Sequence, residues 1–293
     1  MALTTTKVAL PKEVAAAIMA KAKDTSTIGA LSMAEPQLFL DKDYLVFNGS
    51  AEAEVVAEGE QKSSYEEAPN VVVGKRSKVV TTTRVSEELK WADEDDQLQI
   101  VTAIQADQAA ALGRVLDYIV YHAWDPKKKT ALTGYTALTG AATAVTSTGK
   151  PVDDLDALVE AVSDEFDFNG IALSKTWAAQ LRKVRADGTG MRLFPEIPIN
   201  LQPGALDGIT AAASGTVNGR LITPATKILA IAGDFTNIRW GMVRDMTAEV
   251  IEYGDPDQTG KDLKANGQVA YRTQGMYATA VLDPKAFAVL KSK

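Results

Sequence analysis

The stretch VVTTTRVSEELKWADEDDQLQIVTAIQADQAAALGRVLDYIVYHAW, residues 79–124, decides how this chain is read. Its first part, Val79 to Val85, is rich in β-branched residues and predicts a strand. Asp93, Glu94, Asp95 and Asp96 then place negative charge where a helix begins, the end that the macrodipole makes favourable for anions. Leu98, Val101, Ile104, Leu112, Val115, Leu116 and Ile119 recur at three- and four-residue spacing, the period of one helix face. The helix should run to about Trp124 and stop before Asp125–Pro126, because the residue ahead of a proline is steered out of the helical region. Thirty or so residues rising 1.5 Å each give a rod of about 45 Å. That is long for a chain of 293 residues and points to a spine running across an extended subunit.

Upstream of the spine, Leu38 to Leu40, Tyr44 to Phe47, Val55–Val56 and Val71 to Val73 read as further short strands. Asn48–Gly49, Gly59 and Pro69–Asn70 supply turn chemistry between them. The segment has strand-forming residues but little apolar mass, and isolated hairpins are marginal in water. It should therefore lie on another surface. Its charge is uneven: Glu52, Glu54, Glu58, Glu60, Glu66 and Glu67 face a single Lys62, while Lys75, Arg76 and Lys78 follow on the return side. Two readings stand side by side. The charges solvate an edge and block aggregation, or the acidic part docks on a basic neighbour. Further upstream, residues 1–10 are Thr-rich and read as an extended arm. Pro11 opens a short helix bearing Val14, Ile18 and Met19. Four lysines against Glu13 and Asp24 give residues 1–30 a mild positive bias.

Downstream, Lys127, Lys128 and Lys129 open a Thr/Gly/Ala-rich stretch to Pro151 that reads as a loop and a domain boundary. A second body follows. Leu155, Leu158, Val159, Val162 and Phe166 mark an amphipathic helix, and Gly170 to Leu173 a strand. Ser174 caps a helix carrying Trp177, Leu181 and Val184, which Asp187–Gly188 ends. Arg182, Lys183, Arg185 and Arg192 make its far side basic. Ile228 to Ala232, Ile238 to Val243, Thr247 to Tyr253 and Gln268 to Leu282 read as strands, and Asp283–Pro284 as the start of a terminal helix with Phe287, Val289 and Leu290.

Composition narrows the function. One histidine and no cysteine exclude zinc fingers, Cys/His catalytic pairs and multi-His metal centres. A formal charge of −7 argues against a dedicated nucleic-acid binder with a broad basic face. No run reaches the roughly 20 apolar residues of a membrane span, and the first residues carry no signal-peptide pattern, so a soluble protein made in the cytoplasm is expected. No phosphate-binding loop, nucleophile elbow or dinucleotide fingerprint is present. His122 reads as a helix-terminal structural residue. Asp255-Pro256-Asp257-Gln258-Thr259-Gly260 has the first half of a calcium loop, but Asn266 stands where a bidentate Glu is needed, so a turn is expected. No catalytic residue, cofactor or metal ligand is assigned, and no 20–50-residue repeat occurs.

Several segments together resemble the major capsid proteins of tailed bacteriophages, the Hong Kong 97-type capsid fold that encapsulins share. They are Ala53 to Glu60 with Val71 to Leu89; Asn169 to Trp177 with Asp187 to Phe194; and Gly233-Asp234-Phe235, Trp240 to Val250 and Tyr271 to Phe287. Leu10 to Ile18 is similar to the arm of many members. The resemblance implies an α+β chain with an N-terminal arm (1–37), an extended β-hairpin loop (38–78), a peripheral domain with the spine helix (79–150 and 243–293) and an axial domain (151–242). It implies a structural protein, not an enzyme. Copies would form hexamers and pentamers that close into an icosahedral virion shell around double-stranded DNA, assembled in the host cytoplasm. No sequence-specific DNA contact and no membrane are implied. The partner classes are a portal, a decoration protein and a separate scaffolding protein, since only about thirty residues precede the body. An acidic container also avoids gripping the genome it must admit.

Within that resemblance, the acidic loop residues Glu52, Glu54, Glu58, Glu60, Glu66 and Glu67 with Lys62 are expected to overlie an adjacent subunit. Lys127, Lys128 and Lys129, or Arg182, Lys183, Arg185 and Arg192, are the expected electrostatic partners. Some family members crosslink a loop Lys to a neighbour's Asn with a Glu as base; here that Glu's place falls at Gln268–Val269, and no crosslink is expected. An encapsulin-like cage and a soluble enzyme with an unrecognised site are the alternatives.

Overall fold

The computed structural model describes residues 26–35, 43–46, 53–62, 70–88 and 94–293. The helix expected after Pro11 and the strand at Leu38 to Leu40 lie outside them. In chain order the helices are α1 (Ile28–Leu31), α2 (Glu94–His122), α3 (Leu138–Ala141), α4 (Pro151–Ser163) and α5 (Lys175–Leu181). The strands are β1 (Asp43–Val46), β2 (Asn70–Val73), β3 (Lys75–Ser86), β4 (Trp124–Asp125), β5 (Thr130–Ala131), β6 (Thr143–Thr146), β7 (Gly170–Leu173), β8 (Ala205–Leu206), β9 (Ile209–Ala213), β10 (Ile228–Gly233), β11 (Ile238–Ile251), β12 (Gln268–Val281) and β13 (Phe287–Lys291).

One body is built on a six-stranded sheet in the order β6-β13-β10-β7-β9-β8. Its central strands are buried on both faces, so they read as unbroken apolar runs rather than alternating ones. On one face, Ile171, Leu173, Ala230, Ala232, Ala288 and Leu290 pack against Leu158 and Val162 of α4 and Trp177 and Leu181 of α5. On the other, Ala172, Ile231, Phe287 and Val289 meet Leu112, Leu116, Ile119 and Tyr121 from the second half of α2. Gly233 makes the close turn between β10 and the strand that follows. Its φ is +146°, and a Cβ there would sit 2.1 Å from the backbone oxygen of Ala286.

The second layer is a three-stranded antiparallel sheet, β11-β12-β3, with α2 lying across it. Gln108 fixes the crossing: its side-chain nitrogen donates to the Tyr271 carbonyl at 2.8 Å and to Thr83 Oγ1 at 2.9 Å, while its oxygen accepts from Thr273 Oγ1 at 2.6 Å. The spine helix thus spans both sheets, as its length requires.

Four sequence expectations need correction. The terminal helix is instead a single 3₁₀ turn, Pro284–Ala286, followed by β13; a contiguous apolar run without polar punctuation suits a strand covered on both sides. The stretch after Lys129 is not all loop, since Thr143–Thr146 forms β6, parallel to β13. Strands at 238–243 and 247–253 are one strand, β11, whose pairing with β12 shifts register between Met242 and Thr247. Val55–Val56 forms no strand. Strand pairing therefore draws residues 143–146 and 287–291 into the sheet of the body read as 151–242.

Candidate assembly surfaces

β1 and β2 form a two-stranded antiparallel ladder of their own, pairing Asp43 with Val73 and Leu45 with Val71. Directly opposed residues share a face. On the face that carries Asp43, Leu45, Val71 and Val73, the three apolar side chains are 65, 51 and 50% exposed. Between the two strands runs the acidic loop. Its described part, residues 53–62, has a turn in which Glu60 N–H donates to the Ala57 carbonyl and Ala57 N–H donates to Glu60 Oε2. Gly59 supplies the positive φ of +89°. Glu54, Glu58, Glu60 and Lys62 are exposed, and Val55 is 99% exposed. Glu52, Glu66 and Glu67 lie outside the described residues.

The two basic groups are placed apart in the fold. Lys127, Lys128 and Lys129 form the exposed tip of the β4–β5 hairpin. Asp125 organises this tip: Oδ1 accepts the backbone N–H of Lys127 at 2.9 Å and of Lys128 at 3.0 Å. The other group lies on a ribbon after α5, where Ala186 N–H donates to Met191 O and Leu193 N–H to Val184 O. Arg185 and Arg192 are bridge partners there, so two like charges stand directly opposed, an arrangement that is destabilising without an anion beside it. Lys183 is exposed and Arg182 half-buried, with Arg182 Nε buried and unpartnered.

Two residues that sequence reasoning missed tie the elements together. Asp117 is fully buried, five residues before the C-terminal end of α2. It accepts from Ser26 Oγ (2.6 Å), Thr27 N (2.9 Å), Thr27 Oγ1 (3.1 Å), Ile28 N (3.2 Å) and Thr216 Oγ1 (2.5 Å). One carboxylate thus joins the spine, the root of the N-terminal segment and the loop after β9. Burial pushes its pKa up, and the donors pull against that shift. The signal was available: an acid inside the run Val115-Leu116-Asp117-Tyr118-Ile119 must find donors. Beside it, His122 Nε2 lies 2.9 Å from the Thr216 carbonyl, and burial lowers its pKa, favouring the neutral ring.

The other is Arg84 on β3. It donates to Asp255 at 2.5 Å, to Asp257, and to the Lys261 carbonyl at 2.8 Å. The acidic residues read as half a calcium loop are therefore the guanidinium's partners in a turn between β11 and β12. Among the described residues no cluster of carboxylates and imidazoles could hold a metal ion. No described helix is long and apolar enough to cross a membrane.

Residues 6–292 match the model of the phage capsid family. The chain belongs to that family. A solved structure from Mycobacterium phage Ogopogo is 32% identical, with a TM-score of 0.83 over 93% of this chain and 94% of that one. One from Gordonia phage Cozz is 28% identical, with a TM-score of 0.76 over 93 and 88%. The capsid of an empty GTA particle shares the fold at 14% identity, with a TM-score of 0.64 over 92 and 91%. No curated protein matches the chain. This capsid protein is thus a structural component of a phage shell with the Hong Kong 97-like α+β fold.

Proposed function

We propose that this capsid protein assembles as hexamers and pentamers into an icosahedral shell that encloses the double-stranded DNA of a tailed phage, in the host cytoplasm. The observation that carries the reading is the β1–β2 ladder. Its Leu45, Val71 and Val73 are exposed on the face they share with Asp43, and the described part of its loop, residues 53–62, is exposed but for the half-buried Val56. Such a surface on a chain of net charge −7 is completed by burial on a neighbour. In this reading residues 1–37 are the arm, 38–78 the extended loop, 79–150 and 243–293 the peripheral domain and 151–242 the axial domain, with β6 and β13 lent to the axial sheet. Glu52, Glu54, Glu58, Glu60, Lys62, Glu66 and Glu67 act as loop contacts. Lys127, Lys128 and Lys129 or Arg182, Lys183, Arg185 and Arg192 receive them. A scaffolding protein, a portal and a decoration protein complete the particle, and the DNA is held without sequence-specific contacts.

Electron microscopy of the purified protein tests this. Closed shells or five- and six-fold rings are expected. A chain that stays monomeric at every concentration and ionic strength tried refutes it.

A further inference from the structure

We infer that the ribbon after α5 binds a doubly charged phosphate group, with Arg185 and Arg192 as its two clamps. The ribbon runs out from the helix, reverses through Asp187-Gly188-Thr189-Gly190 and returns. Gly190 N–H closes the reversal by donating to the Ala186 carbonyl at 3.1 Å. Ala186 N–H donates to Met191 O at 2.9 Å, and Leu193 N–H donates to Val184 O at 3.2 Å. These two bonds flank Arg185 and Arg192, which makes them a non-hydrogen-bonded antiparallel pair. In such a pair the Cα atoms stand about 4.5 Å apart and the side chains leave one face close together. Two guanidiniums are thereby rooted side by side.

Nothing in the chain compensates them. Arg185 and Arg192 are exposed and have no hydrogen-bond or ion-pair partner among the described residues. Asp187, at the reversal, is exposed and pairs with neither. At the root of the ribbon, Lys183 is exposed and Arg182 has a buried Nε without an acceptor. Residues 182–192 thus set Arg182, Lys183, Arg185 and Arg192 against Asp187 alone, on a chain of net charge −7.

The type of cation selects the anion. A guanidinium is a rigid fork that matches phosphate or carboxylate oxygens two at a time. One carboxylate has two oxygens and one charge, so a single fork exhausts it and the second arginine stays uncompensated. A terminal phosphate has three acceptor oxygens and nearly two charges at neutral pH, enough for both forks. A phosphodiester carries one charge. The ligand class is therefore inorganic phosphate, pyrophosphate or the terminal phosphate of a nucleotide. Lys127, Lys128 and Lys129 differ: they are point charges, and Asp125 already organises their turn.

Calorimetric titration of the full chain with pyrophosphate at fixed ionic strength tests this. One pyrophosphate per chain should bind. Arg185→Gln/Arg192→Gln should weaken it about tenfold or more, the loss of charge-assisted hydrogen bonds. Arg185→Lys/Arg192→Lys keeps the charge without the forks and should fall between the two. Lys127→Gln/Lys128→Gln should leave binding unchanged. With no anion added, the Arg185→Gln/Arg192→Gln variant should unfold in urea no earlier than wild type, because it relieves an opposed like-charge pair. No saturable binding, or binding that survives loss of both arginines, overturns the proposal. Acetate bound as tightly as pyrophosphate gives the ribbon to a carboxylate and overturns it. A DNA duplex bound in preference to pyrophosphate gives it to a phosphodiester and also overturns it. Charge gives a second readout. Inorganic phosphate gains its second charge at about pH 6–7, so its affinity should rise several-fold across that range. Sulfate is doubly charged throughout and controls for changes in the protein. A phosphate affinity that stays flat, or that only follows sulfate, refutes the doubly charged ligand.

Discussion

Replacing Asp117 by Ala should loosen the root of the N-terminal segment. Among the described residues, the carboxylate is the sole acceptor for two buried backbone N–H groups, those of Thr27 and Ile28, whose residues are 2 and 0% exposed. The hydroxyls fare better. Thr27 Oγ1 keeps Tyr121 OH at 3.0 Å, and Thr216 Oγ1 keeps Ser214 Oγ at 3.0 Å. Two orphaned buried donors at about 1–3 kcal/mol each give a gross loss of about 2–6 kcal/mol. Removing a buried charge offsets part of it, as the raised pKa implies, so a net loss of about 2–4 kcal/mol is expected. Asp117→Asn keeps one acceptor oxygen and should lose about half as much. Urea unfolding of unassembled protein reads this directly, and hydrogen exchange at residues 26–32 should quicken in the variant. The pH dependence has a definite sign. A folded pKa above the ordinary 3.8 means that the folded chain holds the proton more tightly. The proton-linked part of the stability from Asp117 is then fully present below about 3.8 and is lost as pH rises through the folded value. The gap between wild type and Asp117→Ala should widen on acidification. A loss below about 1 kcal/mol, or a gap that narrows in acid, refutes the argument.

Other outcomes follow from single contacts. Gly233→Ala forces a Cβ to 2.1 Å from a backbone oxygen at a positive φ, and soluble yield at 37 °C should collapse. His122 is the only imidazole and its pKa is lowered by burial, so the stability tied to its neutral form is present above about 6.5 and is lost as pH falls through the folded value. His122→Gln should flatten that part of the stability–pH curve; an unchanged curve assigns the slope to other groups. Arg84→Ala leaves Asp255 and Asp257 without their cation, and hydrogen exchange in residues 254–262 should rise well before that of β12. Denaturing gels of assembled wild-type particles should show monomer only, because Gln268 and Val269 stand where a crosslinking base is required; a covalent ladder refutes this.

The spine helix was legible because a 3.6-residue period over about six turns has no other reading, and it ends at His122, two residues before the expected Trp124. β7, α5 with its Ser174 cap, and β12 were equally plain, since turn and cap chemistry marks their ends. Segments buried on both faces were not. Phe287 to Leu290 carries no alternation, and only its place between β6 and β10 makes it a strand. The acidic loop and both basic clusters could be listed from charge alone, but charge along a chain does not say which side chains stand face to face.

The sequence by itself determined the family, the rod-like spine, the acidic and apolar-poor character of the loop, and a composition with no cysteine and one histidine, because these depend on composition and local period. Tertiary structure alone decided that β6 and the C-terminal strand share one sheet, that Asp117 gathers donors from two distant segments, and that Arg84 neutralises a turn 171 residues away. Each of these joins residues far apart in the chain, and no local pattern encodes a partner that only folding brings within hydrogen-bond reach.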